Sequence, residues 1–450
     1  MFFSFIKYLN PLWQFNLLPK TNGYFASCYI KIAEMDLYDF DNSYQNESSK
    51  LYDTGFRLWY RGQLLESTRE DIAAYKELEK PSLKDEYRFI KKYWGTKWCC
   101  LIFFIRIVSF KNIFKELPAC VASLKTPTEN LYAEPIQHGK YKTFESAIIK
   151  QNPLVSVIIP TLNRYDLLAD SLHDLEKQSY KNFEVIIVDQ SDNFSQEYYS
   201  SFNLRFSLFH QKEKLLWTAR NRAVQNAKGN YLLFFDDDSR VQSNWVEEHL
   251  KCLDYFNADI SAGVSIAVAG GRVSESYNYF RWADQFDSGN ALVKREVFEK
   301  IDLFDEKFNN GRMGDGEFGI RAYLHGIKSI SNCNAARVHL KADKGGLRET
   351  VSWDAFRPKK LFAPKPVPSV LYLIKKYFNH SARRHYILQG MMLSNVGYKY
   401  KRSLFMLLLS LLLFVFKLPL LYYQYKSSLL LAEKLQNSPQ QIPSLNKIKS

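Results

Sequence analysis

The sequence predicts an α/β domain over residues 153–345 of 450, a mostly parallel sheet with helices on both faces. Three observations predict it. From Pro153 onward short, continuously apolar runs recur, and such runs read as strands buried on both faces. They alternate with helical patterns, and strand–helix–strand order implies a parallel sheet. Three of the runs end in polar or acidic residues, and the C-terminal strand ends of an open α/β sheet are where ligands bind.

Taken in order, residues 1–34 open with Met1-Phe-Phe-Ser-Phe-Ile-Lys7, interrupted early by Lys7, Asn10 and Pro11 with no small-residue cleavage site, which is not a signal peptide. Met35 precedes a change to acidic sequence, so residues 1–34 are a leader whose place in the protein is open. Residues 35–150 form an N-terminal accessory region without an assigned role. It holds a helix from Thr68 to Lys80, and Asp39-Phe-Asp41, expected as a solvated or capping cluster. The apolar run Trp98–Phe110 is too short to span a bilayer. It reads as a buried helix or, more specifically, an interfacial one. Residues 125–152, with Pro127, Pro135 and Gly139, read as a linker.

Leu154–Pro160 is the first strand, stopped by proline and followed by the turn Thr161-Leu-Asn-Arg164. Tyr165–Gln178 places Leu168, Leu172 and Leu175 on one helical face. Phe183–Asp189 is the second strand and Leu204–Phe209 a weaker third. Trp217–Ala227 is a helix with Ala219, Ala223 and Ala227 inward. Tyr231–Phe235 is the central strand, and it stops at Asp236, Asp237 and Asp238. Three adjacent carboxylates repel one another unless a cation lies between them, and carboxylate oxygens suit Mg²⁺ or Mn²⁺. Alternation sends Asp236 and Asp238 to the same side. The strand ends together suit a nucleotide: Asp189 to accept from a base N–H, Arg220 or Arg222 to face phosphates, and a metal at Asp238 to bridge a diphosphate. No G-x-G-x-x-G or P-loop is present.

The ordered motifs Val155-Ser-Val-Ile-Ile-Pro-Thr-Leu-Asn-Arg164, Val185-Ile-Ile-Val-Asp189, Ala219-Arg-Asn221 and Phe234-Phe-Asp-Asp-Asp238 resemble a family 2 glycosyltransferase of GT-A fold. Asp287-Ser-Gly-Asn-Ala-Leu-Val-Lys294, Leu303–Phe308 and Gly314-Asp-Gly-Glu-Phe-Gly-Ile-Arg321 continue the likeness to about residue 345. The resemblance implies an inverting, metal-dependent enzyme using Mn²⁺ or Mg²⁺. It would take a nucleotide-sugar donor and a saccharide or lipid-linked acceptor, in surface polysaccharide synthesis. Pro160, Thr161, Asn163, Arg164, Asp189, Arg220, Asp236 and Asp237 fall to the donor, and Asp238, Asp236 and His339 to the metal. Asp315 aligns with the general base, which must take the acceptor hydroxyl proton; an N-cap role is compatible with it. The chain departs from the family pattern at Gly314, where an acid is usual. Glu317 is the neighbouring carboxylate, Gly345–Arg348 a candidate lid, and Trp217 and Trp282 either pack or stack on a sugar.

Lys and Arg exceed Asp and Glu by 14, and all of that excess lies after Ser352, where 16 basic residues face two acids. A neutral body with a basic tail argues against a nucleic-acid groove over the core and for an anionic membrane surface. Within that 346–450 region, Leu404–Phe416 is flanked by Lys399, Lys401 and Arg402 and broken by Lys417 and Pro419. An in-plane or re-entrant anchor at the cytoplasmic face fits best, with a true span or a core helix as alternatives. Six cysteines without a C-x-x-C pair fit a reducing compartment. Two other functions share some of these features. A nucleotidyltransferase would need a basic, glycine-rich loop after the first strand, and Pro160–Arg164 has one arginine and no glycine. A catalytically inactive membrane scaffold would fit the loss at Gly314 but not the intact Asp triplet and Asp315.

Overall fold

The structure is a computed structural model that describes residues 2–31, 37–266, 271–340, 354–397 and 404–445. Met35, the Gly345–Arg348 segment, Lys399, Lys401 and Arg402 lie outside the described residues. The chain divides into two compact units. One comprises residues 1–137 with 378–389, the other residues 138–377 with 390–450. This grouping differs from the divisions read in the sequence: residues 2–31 belong to the first unit, and most of the basic C-terminal region belongs to the unit that holds the large sheet.

The first unit is helical, with a two-stranded antiparallel ribbon of β1 (Tyr24–Ala26) and β2 (Glu66–Thr68). Its core is aromatic. Phe3 stacks on Phe89 at 4.1 Å, and Trp13, Phe15, Phe56 and Trp59 pack edge to face or tilted. The leader residues Phe2, Phe3 and Phe5 are part of this core. Helix Arg69–Glu77 begins at a capping box formed by Thr68 and Asp71, one residue into the expected span. Asp41 is not a solvated acid: it accepts from Arg88 at 3.3 Å and Lys92 at 3.1 Å, and Lys92 also holds the buried Asp53 at 2.7 Å.

Among the described residues the second unit carries a nine-stranded sheet. Its strands are β3 (Val155–Thr161), β4 (Phe183–Asp189), β5 (Phe206–His210), β6 (Tyr231–Phe235), β7 (Ser239–Val241), β8 (Ile260–Ile266), β9 (Arg281–Trp282), β10 (Asn290–Lys294) and β11 (Ser329–His339). The order is β5-β4-β3-β6-β10-β8-β11-β7, with β9 on β11. β5, β4, β3 and β6 are parallel; β10 is reversed; β8 and β11 resume the first direction. The α/β class therefore holds, and β3, β4 and β6 start and stop within a residue of the expected bounds. β3 and β4 are buried at every position, as their unbroken apolar runs require.

Helices cover both faces. Phe235 points to Trp245 of helix Trp245–Tyr255 at 4.7 Å, while Phe234, on the other side by alternation, meets Phe298 and Phe304, which pack on Phe318 of helix Gly314–Leu324. β3 has β4 on one side and β6 on the other, so strand order reverses there. The crevice above that point holds the turn Thr161–Arg164 and the acids after β6, as the switch-point rule requires.

The C-terminal helices are Leu404–Phe416 and Leu418–Asn437, separated at Lys417. The second is a packed element, with Leu421, Gln424, Ser428 and Ala432 buried and Ser428 bonded to the Pro366 carbonyl. The first leaves Phe405, Leu412, Val415 and Phe416 exposed. Among the described residues no helix is long and apolar enough to cross a membrane.

Candidate active site

The acids after β6 are held in a lattice of arginines. Asp236 accepts from Arg220 at 2.9 Å and from Arg337 at 2.7 Å. Arg164 reaches Asp237 at 3.1 Å and Asp238 at 3.2 Å, and the Thr161 hydroxyl donates to Asp237 at 2.8 Å. His339 Nε2 lies 3.2 Å from Asp238 Oδ1. The repulsion expected of the triplet is thus already offset by the chain's own cations. Burial pushes the Asp236 carboxyl up, but Arg337, Arg220 and His339 outweigh it and hold the group well below the usual carboxylate range. Asp237 is different: burial dominates, neighbouring acids add to it, and despite Arg164 its pKa is pushed up to about 6.

Arg337 is the hub that the sequence reading missed. Nearly fully buried, it also donates to both oxygens of Asp287 at 3.0 Å, to Ser239 at 2.9 Å and to Ser265 at 3.0 Å. The missed signal was the period of β11: Arg337 and His339 are two residues apart and share a face. Gly289 makes the arrangement possible, since a Cβ there would overlap the Asp236 carboxylate and the Arg337 guanidinium. Gly289→Ala is expected to cost about 1–3 kcal/mol, the range for overpacking a filled site. Chemical denaturation of the two proteins side by side checks this.

These groups line a cavity of about 380 Å³. Pro160, Thr161, Arg164, Arg220, Asp236, Asp237, Asp238, Asp315 and His339 all lie on its wall, joined by Gln190, Trp217, Asp287 and Arg312. Asn163 and Asp189 do not. Asp189 is fully buried and accepts from the Tyr165 and Tyr199 hydroxyls, each at 2.7 Å, and from the Ser191 amide at 2.8 Å. That leaves it turned inward, and Gln190 beside it is the polar group of the loop that reaches the cavity. Asn163 adopts a left-handed φ of 54° and pairs with Asp192 through both side-chain atoms, tying the loops after β3 and β4 together. Arg222 donates to the His210 carbonyl rather than facing the site, and Trp282 is packed on β9.

Asp315 reaches the cavity wall from the first turn of helix Gly314–Leu324. Burial raises its pKa, and Asp287 adds to the rise against the pull of the Gly316 amide, Arg220 and Arg312. Glu317 is not on the cavity wall. It is fully buried and accepts from Arg321 at 2.9 Å, Lys376 at 2.9 Å and the Tyr377 hydroxyl at 2.5 Å. The departure at Gly314 has a steric cause: a Cβ there would enter the Trp217 indole. The ring occupies the room that a side chain at 314 would need.

The donor set Asp236, Asp238 and His339 fits a divalent ion. One ligand atom from each lies within 4.8 Å of the others, close enough to share one cation.

Residues 156–321 match the model of glycosyl transferase family 2. That segment is a family 2 glycosyltransferase domain. Among curated relatives, the glycosyltransferase domain is similar to glycosyltransferase GlyA of Streptococcus pneumoniae, 27% identical over 164 residues, covering 35% of this chain and 22% of GlyA. It is also similar to the putative teichuronic acid biosynthesis glycosyltransferase TuaG of Bacillus subtilis, 32% identical over 104 residues, covering 22% of this chain and 41% of TuaG. The chain therefore spans less than half the length of these relatives. S. aureus TarS residues 1–349 with UDP-GlcNAc superposes over 63% of this chain and 90% of that one, with 18% identity and a TM-score of 0.42. The family match places the glycosyltransferase domain over β3 to helix Gly314–Leu324, which takes in the acid triplet and Asp315; Arg337 and His339 follow it on β11.

Proposed function

We propose that the protein transfers a sugar from a nucleotide-sugar donor to an acceptor hydroxyl, with inversion at the anomeric carbon. The observation that carries this reading is that Asp315 lines the same cavity as Asp236, Asp238 and His339. Asp236, Asp238 and His339 would hold Mn²⁺ or Mg²⁺, and such an ion would supply positive charge against the diphosphate leaving group. Arg164 and Arg220 supply fixed positive charge on the donor side, and Gln190 offers a polar contact to the base. Asp315 takes the proton of the acceptor hydroxyl as its oxygen bonds to the anomeric carbon, while the bond to the diphosphate oxygen breaks and takes its electron pair with the leaving group. A single displacement of this kind inverts the centre, and it needs one base and no enzyme nucleophile.

The acceptor is a saccharide or a lipid-linked saccharide of a surface polysaccharide. The teichuronic acid role in TuaG's name supports that class. The basic C-terminal region and the exposed apolar side of helix Leu404–Phe416 support a peripheral position on the cytoplasmic face of the membrane. Calorimetric titration of several nucleotide sugars with and without Mn²⁺ tests the donor class. Asp238→Asn is expected to abolish the Mn²⁺-dependent part of that binding while the far-ultraviolet spectrum stays unchanged. Binding that is equal in the variant would remove Asp238 from the metal set.

A further inference from the structure

The helices Thr96–Val108 and Ile113–Ser123 of the first unit form a hairpin, and its two sides differ sharply. Cys99, Ile102, Ala119 and Cys120 are buried. The hairpin's one carboxylate, Glu116, is buried with them, accepting from Arg106 Nε at 2.9 Å and from the Tyr87 hydroxyl at 2.7 Å. Facing solvent are Phe104, Val108, Phe110, Phe114, Leu117 and Val121. Phe110 is 98% exposed and Phe114 86%. The run expected as a buried or an interfacial helix is therefore buried on one side only.

The turn holds Phe110 in place by a specific backbone device. The Phe110 amide donates to the Ile107 carbonyl at 2.9 Å and the Lys111 amide to the Arg106 carbonyl at 3.0 Å. This pair of bonds is a Schellman cap, whose left-handed position glycine ordinarily fills. Here a phenylalanine fills it, at φ 59°. A bulky side chain is disfavoured in that region, so the turn carries strain that glycine would relieve. It does so at the residue whose ring touches least of the protein. Around this ridge the exposed charges of the hairpin are all positive: Lys97, Lys111, Lys115 and Lys125.

We propose that this hairpin is a membrane-docking surface, with Phe110 and Phe114 inserted at the acyl boundary of an anionic bilayer and the lysines on its headgroups. A ridge of exposed apolar residues marks an interaction site, and lysines flanking it with no exposed carboxylate complement anionic lipid. No hairpin residue lines the cavity, and the inference stands without the sugar-transfer reading.

Flotation of the full chain with vesicles of phosphatidylcholine and phosphatidylglycerol in equal parts tests it, against vesicles of phosphatidylcholine alone. Phe110→Asp with Phe114→Asp is expected to lower partition onto the anionic vesicles at least about tenfold, since two aromatic anchors are lost and two repelling charges added. Phe110→Gly relieves the strained turn while removing the ring. It is expected to raise the thermal midpoint of the first unit and still weaken partition several-fold, a combination that a merely structural residue would not give. Phe416→Asp reads the C-terminal helix separately, and Asp315→Asn is expected to float like the parent. If both hairpin variants float as the parent does, the proposal is overturned. It is equally overturned if they change elution volume but not partition, which would make the ridge a contact between copies of the chain.

Discussion

Asp315→Asn is expected to lower turnover by about two to four orders of magnitude, the contribution typical of a positioned general base, with donor affinity nearly unchanged. The amide keeps the shape of the helix start and can still accept from the Gly316 amide, which Asp315 engages at 2.8 Å. What it cannot do is take a proton. The parent enzyme's pH profile should carry the same signature. A base works only when deprotonated, and burial raises the Asp315 pKa above its ordinary value. Activity is therefore present above that raised pKa and lost as pH falls through it, at a higher pH than an ordinary carboxylate would give. Steady-state kinetics across pH, on parent and variant, measures both effects. Loss of the acidic limb in the residual activity of the variant assigns it to Asp315. A Glu317→Gln variant with full stability and no turnover would instead move the base, against the three donors that now occupy Glu317.

Arg337→Met is expected to destabilise the sheet unit by about 3 kcal/mol or more and to abolish nucleotide binding. Removing one partner of a buried ion pair leaves the other charge unpaired, which costs about 3–5 kcal/mol. Here two carboxylates, Asp236 and Asp287, lose their bridge at once, and both keep most of their side chain out of water. Arg337→Lys should recover only part of the loss, because one ammonium cannot span both acids as a planar guanidinium does. Denaturant titration followed by near-ultraviolet circular dichroism gives the stability, and calorimetry with a nucleotide sugar gives the binding. A variant as stable as the parent would show that the lattice around β6 does not depend on its hub.

Local features of the sheet were legible in the chain. β3, β4 and β6 announced themselves as largely apolar runs, and Gly229 with the apolar run Tyr231–Phe235 favoured a strand end over a solvated acidic turn for the acids after β6. What was not legible depends on partners distant in sequence. The sequence gives no sign that Arg337 meets Asp287, fifty residues earlier, or that two tyrosines claim Asp189. Gly314 read as a loss because Trp217, which fills its place, lies on a helix almost a hundred residues away. The hairpin at Phe110 stayed open between a buried and an interfacial helix for another reason. A one-sided apolar run and a buried one have the same composition over thirteen residues, and only the packed side distinguishes them.

Asp236 and Arg337 are 101 residues apart in the chain. A ribosome adding about 5–20 residues per second releases the acid triplet roughly 5–20 seconds before its hub and His339. Through that interval β3 to β6 can pair, because their contacts are already synthesised, but the crevice above them holds three carboxylates with only Arg164 and Arg220 against them. The nascent domain thus passes through a stage with a built floor and an unfinished roof. Because β11 pairs with β7 and β8 through one continuous strand, the last of the described strands to emerge both fastens the sheet and brings Arg337 and His339 to the acids. On the proposed reading, competence to bind a donor would arrive together with structural closure, and a chain cut short before β11 is expected to lack both.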